Sequence, residues 1–151
     1  MRTASRPPVS PELERQLFEK YPDLYAYKSA DGNSSDMTHY GFAHGDGWFD
    51  IIDSLSATIT GIMRNDRSRN HLTPEEFAET RQVRVAQVKE KFGSLRFYVD
   101  NGSPEVCAAI TMAEMMSSRT CEYCGNSGMR RGGGWVKVRC DACEAKRKND
   151  V

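Results

Sequence analysis

Four of the five cysteines in this 151-residue chain form two pairs near its carboxyl end. The pattern is Cys121-x2-Cys124, fifteen intervening residues, and then Cys140-x2-Cys143. Two cysteines separated by two residues can place both sulfurs about 2.3 Å from one metal ion, and two such pairs complete a tetrahedron. The spacing therefore predicts one zinc ion held by four thiolates. Because no ligand position stays open for water, the predicted zinc is structural.

The stretch between the two pairs indicates how this zinc module folds. Residues 132–134 are three glycines that can form a turn, and residues 135–138 read as a strand. Strong helix formers follow Cys140. A knuckle, a hairpin and a second pair that opens a helix resemble a treble clef, and a plain zinc ribbon is the alternative if the tail is not helical. Four free thiols or two redox pairs are the other interpretations of these cysteines, and the matched spacing favours zinc.

Histidine placement bears on whether the module is a nuclease. Some treble-clef-like nucleases use a histidine of the hairpin as a general base. The three histidines of this chain, His39, His44 and His71, all lie outside residues 119–151. The sequence therefore argues against that mechanism.

Charge is unevenly distributed along the chain. The net charge is zero, but residues 119–151 carry +4 and the preceding residues −4. This balance argues against a DNA mimic and against a strong general polyanion binder, and it allows a local basic patch. The basic residues predicted as possible nucleic-acid or partner contacts are Arg130, Arg131, Lys137, Arg139, Lys146, Arg147 and Lys148.

Three acids offer a second possible site. Asp46, Asp50 and Asp53 are spaced four and three residues apart, so they share one face of a predicted helix. Such a face can bind a hard cation or perform acid–base chemistry. The favoured interpretation is a helix amino terminus enriched in acids, which the helix dipole stabilises.

Further residues have less specific interpretations. Lys89, Lys91 and Arg96 surround Phe92 at a predicted hairpin turn, a mixture that serves nucleic acid or protein partners but also occurs in ordinary polar turns. The cluster Met112, Met115 and Met116 is expected to pack in the core, and an adaptable partner surface is the alternative. Cys107 is expected to be a small core residue of its helix.

Hydrophobic periodicity and capping signals predict the elements that position these residues. Helices are predicted at residues 10–21, 47–63, 73–80 and 103–118, and strands at 83–88 and 95–99. The fold class is α+β, with about three main helices, a small antiparallel hairpin or sheet and the zinc module. We expect a flexible leader at 1–9, an α+β domain at 10–118, and a zinc module at 119–151 that docks on the preceding helix.

Composition points to a folded protein of the cytoplasm. Hydrophobic residues make up 38% of the chain, which is enough to build a core. No apolar run approaches the ~18 residues of a membrane span, and residues 1–10 lack an apolar stretch of signal-peptide type. We therefore expect a cytoplasmic location and no membrane partner. The oligomeric state is not predicted.

Three segments together resemble a widespread family of small, uncharacterised proteins of bacteriophages and prophages. They are residues 45–52 (Gly-Asp-Gly-Trp-Phe-Asp-Ile-Ile), residues 88–98 (Val-Lys-Glu-Lys-Phe-Gly-Ser-Leu-Arg-Phe-Tyr), and residues 118–125 together with Gly134-Trp135 and the second cysteine pair. The similarity covers roughly residues 41–143. It implies a phage origin, a bacterial host cytoplasm and a zinc tail, and it implies no activity.

These observations favour a non-enzymatic phage accessory protein that binds a host macromolecule, such as a defence or transcription component. The first alternative is a nucleic-acid-binding zinc module, based on the basic residues around the knuckle. The second is a metal-dependent enzyme that uses Asp46, Asp50 and Asp53.

Overall fold

A computed structural model describes residues 9–25, 37 and 41–150 of the chain. Residues 1–8 of the predicted leader lie outside the described residues. So do residues 29–35, where the sequence Ser-Ala-Asp-Gly-Asn-Ser-Ser predicts a loop. The helices are α1 (Pro11–Lys20), α2 (Pro22–Tyr25), α3 (Phe49–Arg69), α4 (Pro74–Thr80), α5 (Pro104–Ser117) and α6 (Asp141–Asn149). The strands are β1 (Phe42–Ala43), β2 (Arg84–Lys91), β3 (Ser94–Asp100), β4 (Met129–Arg131) and β5 (Lys137–Arg139).

The α+β class is confirmed, with more helices among the described residues than the three main ones expected. The first sheet is mixed, because β1 lies parallel to β2 while β2 and β3 form an antiparallel hairpin. A second sheet of two antiparallel strands, β4 and β5, belongs to the zinc module. Strand β1 was not predicted, since two residues are too few to show a period.

Side-chain caps start three of the helices where the sequence places them. The hydroxyl groups of Ser10, Thr73 and Ser103 each accept a hydrogen bond from a main-chain amide of the first turn. At Thr73 the predicted capping box is complete, because the Glu76 carboxylate also accepts from the Thr73 amide at 2.8 Å. These local contacts satisfy amides that the helix itself leaves unpaired.

The central helix α3 is longer than predicted. The helix predicted to end at residue 63 continues to Arg69, through residues 64–69, whose polar and charged sequence is typical of a loop. That stretch contains no glycine or proline, and Arg67 and Arg69 lie in the last turn, where cations stabilise the negative end of the helix dipole. The amphipathic stripe is confirmed, since Ile52 and Ile59 are fully buried.

Helix α5 packs against the core and leads to the first cysteine pair. Val106 and Ile110 are buried, and α5 packs against α3 and β3. Two side chains near its end accept hydrogen bonds from β3 amides: Glu114 from Phe97 at 3.1 Å and Ser117 from Leu95 at 2.9 Å. These bonds fix where the chain enters the zinc module.

Two expectations about α5 are wrong. Met112, Met115 and Met116 are 67%, 63% and 48% exposed, so they are not core residues. Cys107 is also exposed, with its thiol 3.8 Å from the carbonyl oxygen of Gly102. The helix is apolar on several sides, and apolar periodicity alone does not reveal which side the core covers.

Candidate metal centre

The four predicted cysteine ligands meet at one point. Their sulfur atoms all lie within 4.8 Å of one another, and the Cys124 and Cys140 sulfurs are 3.6 Å apart. Zinc–sulfur bonds of 2.3 Å place the sulfurs of a tetrahedron about 3.8 Å apart. Small side-chain adjustments therefore let these residues hold one zinc ion. In the described part of the chain, no other group of His, Cys, Asp and Glu side chains has this arrangement.

The first pair sits on a tight knuckle. The Gly125 amide donates to the Cys121 carbonyl at 3.0 Å, and the Cys121 amide donates to the Asn126 carbonyl at 2.7 Å. Gly125 has a φ of +81°, a left-handed conformation that strains residues with a Cβ. The glycine after Cys124 thus lets the chain turn sharply enough to aim both sulfurs at one ion.

The second pair opens a helix. Cys140 caps α6, and its sulfur accepts from the Cys143 amide at 3.4 Å. This amide lowers the pKa of Cys140 to about 7, while burial raises the pKa of Cys143 to about 12. A divalent cation would displace the thiol protons and hold the thiolate charges together. The helical tail matches the treble-clef arrangement and not a plain ribbon.

The module buries little apolar surface of its own. Its second strand runs from Lys137 to Arg139, so the predicted strand at 135–138 begins two residues too early. Val138 is fully buried, but Trp135 is 71% exposed. Packing within the module therefore cannot replace the metal.

The module is held by the segment before α3. Hydrogen bonds join the module to Gly45, Gly47 and Trp48 of this segment. Docking on the preceding helix stays a prediction. The Gly47 amide donates to the Glu122 carbonyl at 2.9 Å, and the Trp48 indole donates to the Thr120 carbonyl at 2.9 Å. A Cβ at Gly47 would overlap main-chain atoms of residues 121, 122 and 125. Only glycine allows this close approach.

Buried charges join the module to the first sheet. Lys137 of β5 lies 2.6 Å from the Glu90 carboxylate of β2 and 3.7 Å from the Glu122 carboxylate. Glu122 also accepts from the Gly45 amide at 3.1 Å. All three charged side chains are almost fully buried. Removing one member of such a group leaves another charge uncompensated, which costs about 3–5 kcal/mol.

The β2–β3 turn makes the third contact with the module. The Arg130 guanidinium donates to the Phe92 carbonyl at 2.7 Å. A Cβ at Gly93 would come within 2.9 Å of the Val136 side chain, so the turn and the β4–β5 hairpin are in close contact. The tips of the two hairpins therefore form one continuous surface.

The predicted basic contacts divide into two groups. Four of the predicted residues form ion pairs within the protein. Lys137 pairs with Glu90, and Arg131 pairs with Asp141. Arg139 and Arg147 both pair with Glu144. Arg147 and Arg139 lower the pKa of Glu144 to about 2, chiefly through the hydrogen bond from Arg147. Arg130, Lys146 and Lys148 are exposed, and Arg147 is exposed as well although it pairs with Glu144.

The predicted aspartate face is not assembled as a cluster. Asp53 accepts hydrogen bonds from Lys20 at 2.8 Å and from the Tyr21 hydroxyl at 2.7 Å. Asp46 lies in a 3-10 turn and accepts from the Ser10 amide at 2.6 Å. Two of the three carboxylates thus hold α1 against the central helix.

Sequence reasoning missed the residues that hold the module. His44 is fully buried, with its Nδ1 atom 2.7 Å from the Gly45 carbonyl oxygen and its ring stacked on Trp48. Glu90 and Glu122 appeared only as ordinary charges in the sequence. The available signal was Gly45-Asp46-Gly47-Trp48, because closely spaced glycines beside a tryptophan indicate close backbone packing.

Comparison with protein-family models, curated proteins and solved structures finds no match for this chain. None of the helices in the described residues has the length and apolar character that crossing a membrane requires.

The structure predicts which cysteines control metal content. Cys124→Ser, or strong chelation, should remove the metal and unfold the module while most helical signal remains, since α1 to α5 have their own core. Cys107→Ser should keep one zinc per chain, because its thiol is remote from the cluster. Native mass spectrometry and circular dichroism measure both properties. A fully folded wild-type chain without metal, or metal loss in the Cys107 variant, would contradict the assignment.

Two glycine substitutions should act in opposite directions. Gly47→Ala forces a methyl group into the main chain of the module and should lower the free energy of unfolding by about 1–3 kcal/mol. Gly61→Ala is the matched control, because it lies in α3 with no atom near the added methyl group. It should raise this free energy by about 0.5–1 kcal/mol. Urea unfolding at fixed zinc measures both, and equal effects would contradict the docking described above.

Proposed function

We propose that this protein is a non-enzymatic, zinc-containing accessory protein of a bacteriophage, acting in the host cytoplasm by binding a host protein. A defence or transcription component fits this role. The four-cysteine cluster supports a structural zinc because all ligand positions are filled by thiolates. The phage origin rests on the sequence resemblance in residues 41–143.

An apolar groove between α3 and α5 is the observation that carries the proposal. The groove has a volume of about 400 Å³. Its apolar lining comes from Ile51, Leu55, Ala109, Met112, Ala113 and Met116. Contiguous exposed apolar surface marks interaction sites, and methionine side chains adapt to irregular partners.

The shape and charge of the groove suit a particular class of partner. Two packed helices present a long groove that can receive the apolar face of a third helix. Asp50, Ser54 and Thr58 lie along its polar rim. An amphipathic helix with leucine-like anchors and a cation placed to meet Asp50 would fit. This chemistry belongs to a protein segment and not to a nucleic acid.

Affinity capture from host lysate tests the proposal when the groove is altered. Met112→Glu places a charge in the groove at an exposed position, so folding should change by less than about 0.5 kcal/mol. The same substitution at exposed Met129, on the zinc module, is the matched control. We expect one host protein captured by the wild type and by Met129→Glu, and at least about tenfold less of it with Met112→Glu.

Identification by mass spectrometry should be followed by titration of the purified partner. Equal binding of that partner by all three proteins would contradict the groove as its site. Reproducible absence of any captured host protein would contradict the proposed function.

A further inference from the structure

The outer face of the β2–β3 hairpin carries cations and aromatic rings at half-buried or exposed positions. The strand register places Lys89 directly opposite Arg96 and Gln87 opposite Tyr98. Because side chains alternate between the faces of a strand, Lys91 shares this outer face. The opposite face carries Val88, Leu95 and Phe97, which are buried in the core.

The paired cations Lys89 and Arg96 repel each other on this face unless an anion lies beside them. Like charges directly opposite each other in an antiparallel pair destabilise the sheet. Arg96 donates to the Ser94 hydroxyl at 2.6 Å and to the Leu95 carbonyl at 2.9 Å, so these hydrogen bonds leave its charge unneutralised. Lys91 lies two residues beyond Lys89 on the same face. An anionic ligand laid along the hairpin would relieve this repulsion.

Two strongly exposed aromatic residues lie at or near the turn. Phe92 is 69% exposed at the turn, and the Lys91 ammonium lies 5.6 Å from its ring centroid. Exposed Trp135 belongs to the β4–β5 hairpin of the zinc module. The Arg130 bond to the Phe92 carbonyl and the Gly93–Val136 contact bring the two hairpin tips together. The metal-dependent module thereby brings one cation, Arg130, and the exposed Trp135, which is adjacent to Val136, to the turn end of the hairpin.

We infer that this surface, formed by Lys89, Lys91, Phe92, Arg96, Tyr98, Arg130 and Trp135, binds single-stranded nucleic acid. Phosphates would meet the four cations, and unpaired bases would stack on the exposed rings. Open sheet faces with exposed aromatic side chains stack two or three bases in known RNA-binding modules. A duplex cannot use these rings, because its bases are already stacked. This site goes beyond the proposed function and is independent of the α3–α5 groove.

Fluorescence anisotropy with a labelled 12-nucleotide oligo-dT tests the inference, with oligo-U of the same length as the RNA arm. A 12-base-pair duplex and a poly-glutamate peptide are the other arms. We expect single strands to bind at least about tenfold more tightly than the duplex, and the peptide to compete weakly. The ratio of the oligo-dT and oligo-U affinities shows whether the surface prefers single-stranded DNA or single-stranded RNA.

Variants separate stacking from charge. Phe92→Ala and Trp135→Ala should each weaken binding about tenfold. Lys89→Gln and Lys91→Gln should each reduce the magnitude of the slope of log affinity against log salt by about 0.7. Lys146→Gln removes an exposed cation of α6 that is not part of the proposed surface, and it should leave both the affinity and the slope unchanged. Circular dichroism and zinc content verify that each variant is folded.

Tryptophan fluorescence gives a direct readout of stacking. Trp48 is buried and Trp135 is exposed, so oligo-dT should quench the wild-type emission through Trp135. Trp135→Phe keeps a stacking ring, and it should bind nearly as well with almost no quenching. No binding at 50 mM salt, equal duplex and single-strand affinity, effective competition by the acidic peptide, or unchanged affinity in folded Phe92→Ala and Trp135→Ala would each overturn the inference.

Discussion

Four cysteines from two segments that are fifteen residues apart converge closely enough to hold one zinc ion, and the folding of the module at residues 119–151 depends on that convergence. The module from Cys121 to Cys143 buries little more than Val138 among its apolar residues. Chains below about 40 residues rarely fold without a metal, a disulfide or a partner. Zinc would supply on the order of 10 kcal/mol of apparent folding free energy in peptides of this kind.

The metal alone does not place the module on the rest of the chain. That placement comes from the close approach at Gly47 and from the buried Lys137 between Glu90 and Glu122. Buried ion pairs contribute little net stability but are costly to break, so they favour one geometry over others. The same geometry positions Arg130 and Val136, the neighbour of Trp135, against the β2–β3 turn. Metal binding, the docking of the module and the surface formed by the two hairpin tips are therefore physically coupled.

Local signals explain how much the sequence revealed. The cysteine spacing, the caps at Ser10, Thr73 and Ser103, and the hairpin around Gly93 each depend on residues close in the chain, and the structure has them where they were predicted. Contacts across long separations were not predictable. Nothing near Glu122 in sequence indicates that its carbonyl binds Gly47, or that Lys137 would be buried. Likewise, the exposed methionines of α5 depend on which neighbours cover that helix.

X-ray absorption at the zinc edge of the purified 151-residue chain tests the central claim most directly, because it reports the ligand atoms themselves. The account predicts four sulfur scatterers at about 2.3 Å and no lighter ligand in the first shell. Nitrogen or oxygen ligands at about 2.0–2.1 Å in place of one or more sulfurs would contradict it.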